Sequence, residues 1–111
     1  MTINRSKRQV RIGLVEVWPS RGSRVLEEDE RAFVNVLAWS ATQAEYRRRA
    51  CELCDYYWLV AKSIGRSEPF YQKRMGRSAR QEFTKLAEKV TRHRDARFGT
   101  FHIWVAKRKG K

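Results

Sequence analysis

Residues 33–64 read FVNVLAWSATQAEYRRRACELCDYYWLVAKSI, and this stretch decides the fold. Phe33 to Trp39 is rich in β-branched and aromatic residues, which suit a pleated and packed surface. Two capping-box patterns follow, Ser40 with Gln43 and Thr42 with Glu45. Tyr46, Ala50, Leu53 and Tyr57 then recur at i, i+4, i+7 and i+11, one stripe of a helix. From Trp58 to Ile64 the composition returns to that of a strand. The unit is therefore strand, capped helix, strand.

Upstream, Val10, Ile12 and Leu14 alternate with Arg11, Gly13 and Val15, a half-buried strand that runs to Trp18 and is ended by Pro19. Residues 19–30 form a connection longer than an ordinary hairpin loop and carry the acidic run Glu27-Glu28-Asp29-Glu30. That run is placed either to dock on a basic surface of its own chain or to bind a cation. Four consecutive side chains rarely converge on one ion, so no metal site is expected there.

Downstream, Ser67 as N-cap, Pro69 in the first turn and Gly76 as stop predict a short helix. Ser78 with Gln81 repeats the capping box. Phe83, Leu86, Ala87 and Val90 mark a second amphipathic helix that reaches about His93. Gly99 allows a turn. Thr100 to Ala106 reads as the last strand, with Phe101, Ile103 and Val105 on one side and His102 and Trp104 on the other.

The expected order is β-β-α-β-α-β over one domain, residues 1–111, with a basic N-terminal arm (1–8) and a basic C-terminal tail (107–111). The two apolar helix stripes predict an α+β two-layer sandwich, a four-stranded, mainly antiparallel sheet with both helices on one face. The opposite face would then carry Trp39, His102 and Trp104. AFVNVLAWS running into a capped helix resembles small uncharacterised bacterial α+β proteins carried on mobile genetic elements. The resemblance spans about residues 31–70, supports the fold and brings no functional motif with it.

Charge narrows the partners. There are 25 Lys and Arg against 12 Asp and Glu, a net charge of +13. Hydrophobic residues still make up 41%, which excludes a disordered polyelectrolyte. Residues 70–111 alone hold thirteen basic and three acidic residues. Clustering of this kind marks a face for polyanions, of which nucleic acid is the commonest. Within it, Phe70-Tyr-Gln-Lys-Arg-Met-Gly-Arg77 sets rings that stack on unpaired bases beside side chains that pair with phosphates. The residues expected to bind nucleic acid are Lys73, Arg74, Arg77, Arg80, Lys107, Arg108 and Lys109, with Tyr71 and Trp104 as stacking rings. Arg97, Phe101 and Trp104 match a basic and two aromatic positions of the RNA-recognition strand motif. Phe98, Gly99 and Thr100 depart from that motif, so the fold it belongs to is not assigned.

Other chemistry finds little support. Cys51 and Cys54 form a single CxxC some three turns into the helix, away from the N-terminus that activates redox thiols. Two more zinc ligands are missing, since His93 and His102 lack finger spacing. Both cysteines are expected to serve as small buried hydrophobes. Arg47, Arg48 and Arg49 read as a solvated helix face that pairs in part with Glu45. No catalytic triad, phosphate-cradling loop or paired carboxylates stand out, so neither catalytic residues nor a cofactor are assigned. No run approaches the length that spans a bilayer, and two Cys without a signal peptide point to the cytoplasm.

The leading expectation is a small non-enzymatic protein that binds DNA or RNA with low sequence specificity. The alternative is an accessory module that binds an acidic protein, or that forms a homodimer through an aromatic sheet face. A small-ligand binder or an enzyme comes third.

Overall fold

The computed structural model describes residues 7–106. Their elements are β1 (Gln9–Pro19), β2 (Glu30–Ser40), α1 (Gln43–Tyr56), β3 (Leu59–Ile64), β4 (Glu68–Pro69), a 3-10 turn (Phe70–Gln72), α2 (Arg77–His93) and β5 (Ala96–Val105). They form an α+β fold around one sheet of order β3-β1-β2-β5, with β4 also paired to β1 beside β3. Every strand pair is antiparallel.

The helices do not share a face as expected. They cover opposite sides of the sheet. Tyr46, Ala50 and Cys54 of α1 pack with Val15, Val17, Ala32, Val34, Val36 and Ala38. Phe83, Ala87 and Val90 of α2 pack with Val10, Ile12, Leu37 and Phe70. Val36 and Leu37 are neighbours in β2 and both fully buried. Successive strand side chains point to opposite faces, so this pair is possible only where both faces are covered.

Local chemistry explains the boundaries. The Thr42 hydroxyl caps α1 by accepting the Glu45 N–H at 3.1 Å, and the Glu45 carboxylate accepts the Ala41 N–H at 2.8 Å. The second of the two candidate capping boxes is thus the one used. Helix α2 begins at Arg77 behind Gly76, which gives no side-chain cap, rather than behind Ser78. The short helix expected after Ser67 is instead a bridge followed by one 3-10 turn. Glu68 and Pro69 pair with Ile12 and Arg11, and Phe70 drops into the core. The Ser67 hydroxyl donates to the Gln43 carboxamide oxygen and accepts from Arg11, so it ties β4 to α1 and β1 instead of capping a helix.

Gly99 does not turn the chain. It lies inside β5, where the register with β2 slips by one residue between Phe98 and Phe101. A Cβ at Gly99 would stand 2.6 Å from Cε1 of Phe83, so glycine is what lets α2 approach the strand.

Candidate nucleic-acid interface

Helix α2 covers only one end of its sheet face. Its buried residues reach Val10, Ile12 and Leu37, with Trp39 packed at the margin. Strand alternation carries the same face on to Leu14, Glu16 and Trp18 of β1, to Arg31 and Phe33 of β2, and to His102 and Trp104 of β5. Leu14, Phe33 and Trp104 are 46%, 39% and 37% exposed, because no helix lies over them.

Two aromatic groupings sit on this open half. The Phe33 and Trp104 rings lie 5.0 Å apart between centroids and 31° apart in tilt. On the other side, the Arg31 guanidinium carbon and the Lys62 Nζ stand 4.3 and 4.4 Å from the centre of Trp18. Such distances give cation–π attraction. Lys62 reaches the ring from a bulge, since Glu16 pairs with Ser63 while Val17 pairs with Ala61. The Trp18 indole N–H donates to the Glu16 carboxylate at 2.9 Å, which fixes the ring's angle. Arg31 also donates to the Glu28 and Glu30 carbonyls, so its position is held by the loop.

A second basic surface lies on the outside of α2. Lys85, Lys89 and Arg92 recur at i, i+4 and i+7, all exposed, opposite the buried Phe83, Ala87 and Val90. Arg74 and Arg77 extend it past the start of the helix, both exposed. Among the described residues, the ion pairs of basic side chains are those of Arg8 and Arg48 with Glu45, of Arg48 with Glu52, of Lys73 with Glu68 and of Arg97 with Asp95. The α2 surface has no carboxylate partner among them.

The expected site residues separate into groups. Arg74 and Arg77 are exposed and unpaired. Lys73 is half-buried and bridged to Glu68 at 2.9 Å. Arg80 is spent within the fold: its guanidinium donates to the Phe70 and Lys73 carbonyls and lies over the Phe70 ring. Tyr71, 61% exposed, stands edge-on to Phe70 beside the start of α2. Trp104 belongs to the open sheet half, at the far end of β2 from Phe70's cluster. Lys107, Arg108 and Lys109 lie outside the described residues.

Trp18, Arg31, Phe33 and Lys62 were not expected at a site. Phe33 shares strand parity with Trp39 and was within reach of the sequence. Lys62 was not, because the bulge that re-aims it leaves no sequence sign. The acidic loop makes no ion pair among the described residues. The Glu30 carboxylate instead accepts the Glu27 N–H at 2.8 Å, so the run closes its own turn.

The cysteines also divide. Cys54 is buried, and burial pushes its thiol up to about 12, whereas Cys51 is exposed. The expectation that both are buried holds for Cys54 alone. Among the described residues no cluster of three His, Cys, Asp or Glu is placed to hold a metal ion, and no helix is long and apolar enough to cross a membrane.

Fold and site together define an α+β protein with an open aromatic and basic sheet face. Comparison with family models, with curated proteins and with solved structures gives no match.

Proposed function

We propose that this protein binds nucleic acid without catalysis and with little sequence preference. The observation that carries the reading is the exposed basic surface of Arg74, Arg77, Lys85, Lys89 and Arg92, which has no carboxylate partner among the described residues. Cations that make no ion pair in their own fold remain available to a polyanion, with Glu82 and Glu88 on the same surface diluting their field, and neutralising phosphates releases counterions. Phosphate contacts carry no sequence information, which fits a low sequence preference.

A fluorescence-anisotropy titration with labelled oligonucleotides at several salt concentrations tests this. Binding should be evident at about 50 mM salt and fall steeply above it. The log–log slope should be roughly −4 for about five phosphate contacts. Absence of binding at about 50 mM salt removes the proposal.

A further inference from the structure

We infer that the uncovered half of the sheet face, centred on Phe33 and Trp104, docks the unpaired bases of single-stranded nucleic acid. This rests on the nucleic-acid reading above and adds to the phosphate-binding surface of α2 a separate contact for bases, which specifies the substrate as single-stranded. Phe33 and Trp104 form an exposed ring pair on the paired strands β2 and β5. Rings on a sheet face stack bases that are splayed out, whereas the bases of a duplex are already stacked and offer no free face. Arg31 and Lys62 stand beside the rings, at Trp18, where the phosphates of a strand crossing the sheet would run.

The charge of the patch selects its occupant. Its strand-borne cations are Arg31 and Lys62 and its one strand-borne carboxylate, Glu16, accepts from the Trp18 indole, while the adjoining acidic run Glu27–Glu30 is folded on its own turn, with the Glu30 carboxylate accepting the Glu27 N–H. A second copy would bring the same cations against themselves. A polyanion brings the complement.

The test uses the full chain with a labelled single-stranded DNA, a single-stranded RNA and a blunt duplex of equal length, at matched salt. Single strands should bind at least about tenfold tighter than duplex. Phe33→Leu and Trp104→Leu should each weaken single-strand binding roughly 5- to 100-fold, the loss of one stacked base, and leave duplex binding unchanged. Phe33→Tyr and Trp104→Phe keep a stacking ring and should keep the affinity. Thermal melts confirm that each variant folds. The inference is overturned if the leucine variants bind single strands as the wild type does, or if duplex is preferred; either result leaves the broader proposal standing. A dimer in sedimentation that Trp104→Leu dissociates, with nucleic-acid affinity intact, makes the face a contact between copies and also overturns it. No binding to any of the three probes sinks the broader proposal as well.

Discussion

The Tyr46 hydroxyl donates a 2.8 Å hydrogen bond to the Val36 carbonyl, with the Tyr46 ring lying against Gly13 of the next strand. Gly13 is the ladder partner of Val36, so α1 is pinned to the central strand pair at one point. Tyr46 is fully buried, and desolvation pushes its phenol well above the ordinary tyrosine range. A Cβ at position 13 would come within 2.9 Å of the phenol oxygen. The smallest residue is therefore required opposite one of the largest in the core.

Tyr46→Phe should cost about 1 kcal/mol, the net value of one hydrogen bond. That lowers the Tm of a domain of this size by about 4–8 °C. Gly13→Ala forces the ring or the strand to move and should cost about 1–3 kcal/mol. Urea unfolding followed by circular dichroism measures both. An unchanged midpoint for Gly13→Ala means the ring has room to yield.

Glu45 predicts an acid-sensitive helix start. Its carboxylate accepts the Ala41 N–H and the Arg8 guanidinium, each at 2.8 Å. These bonds, the Ala41 one first, hold its pKa below the ordinary carboxylate value against the opposing effect of burial. A depressed folded pKa contributes stability that is complete above the unfolded value and disappears as pH falls through the folded one. Wild-type stability should thus decline as pH falls from about 5, just above the ordinary Glu value, and go on declining through the lower folded one. Glu45→Gln should be less stable at neutral pH and should show a flatter decline. Parallel pH profiles for the two proteins would place the loss elsewhere.

The two cysteines should report on opening of α1. Iodoacetamide at neutral pH should add once, at Cys51, to the native protein and a second time, at Cys54, only after denaturation. Burial and a thiol pKa pushed up to about 12 protect Cys54. Mass spectrometry of the native protein distinguishes one adduct from two. Two rapid native adducts would show that α1 opens readily.

How the sequence encodes this fold is plainest in β2. Its alternation offers two apolar sets, Ala32, Val34, Val36 and Ala38 on one side and Phe33, Leu37 and Trp39 on the other. That is the pattern of a strand buried on both faces, and it points to helices on both sides of the sheet. The stripes on the helices give each one a buried side but not the face of the sheet it meets. The crossover geometry decides that, and a 3-10 turn in place of the helix expected after Ser67 sends α2 to the far side. The parity of Phe101 to Val105 was legible, and so was the grouping of Trp39, His102 and Trp104. The open half of their face was not, because it follows from where α2 stops, and Lys62 arrives there through a bulge.

Arg80 and its basic neighbours should part company experimentally, although all lie in one basic segment. The Arg80 guanidinium donates to two backbone carbonyls, those of Phe70 and Lys73, and closes the 3-10 turn onto α2. Arg80→Gln leaves those carbonyls short of a donor and should cost about 1–3 kcal/mol. Arg74 and Arg77 are exposed and make no ion pair among the described residues, so Arg74→Gln and Arg77→Gln should change stability by less than about 0.5 kcal/mol. Binding should respond in the reverse order. Each exposed arginine removed from a phosphate contact should reduce the magnitude of the salt slope by about 1, and Arg80→Gln should leave the slope nearly as it was. Unfolding curves and salt titrations on the same three variants measure both quantities. A slope that falls with Arg80→Gln and holds for the other two would move the phosphate contacts from the outer surface of α2 to the turn before it.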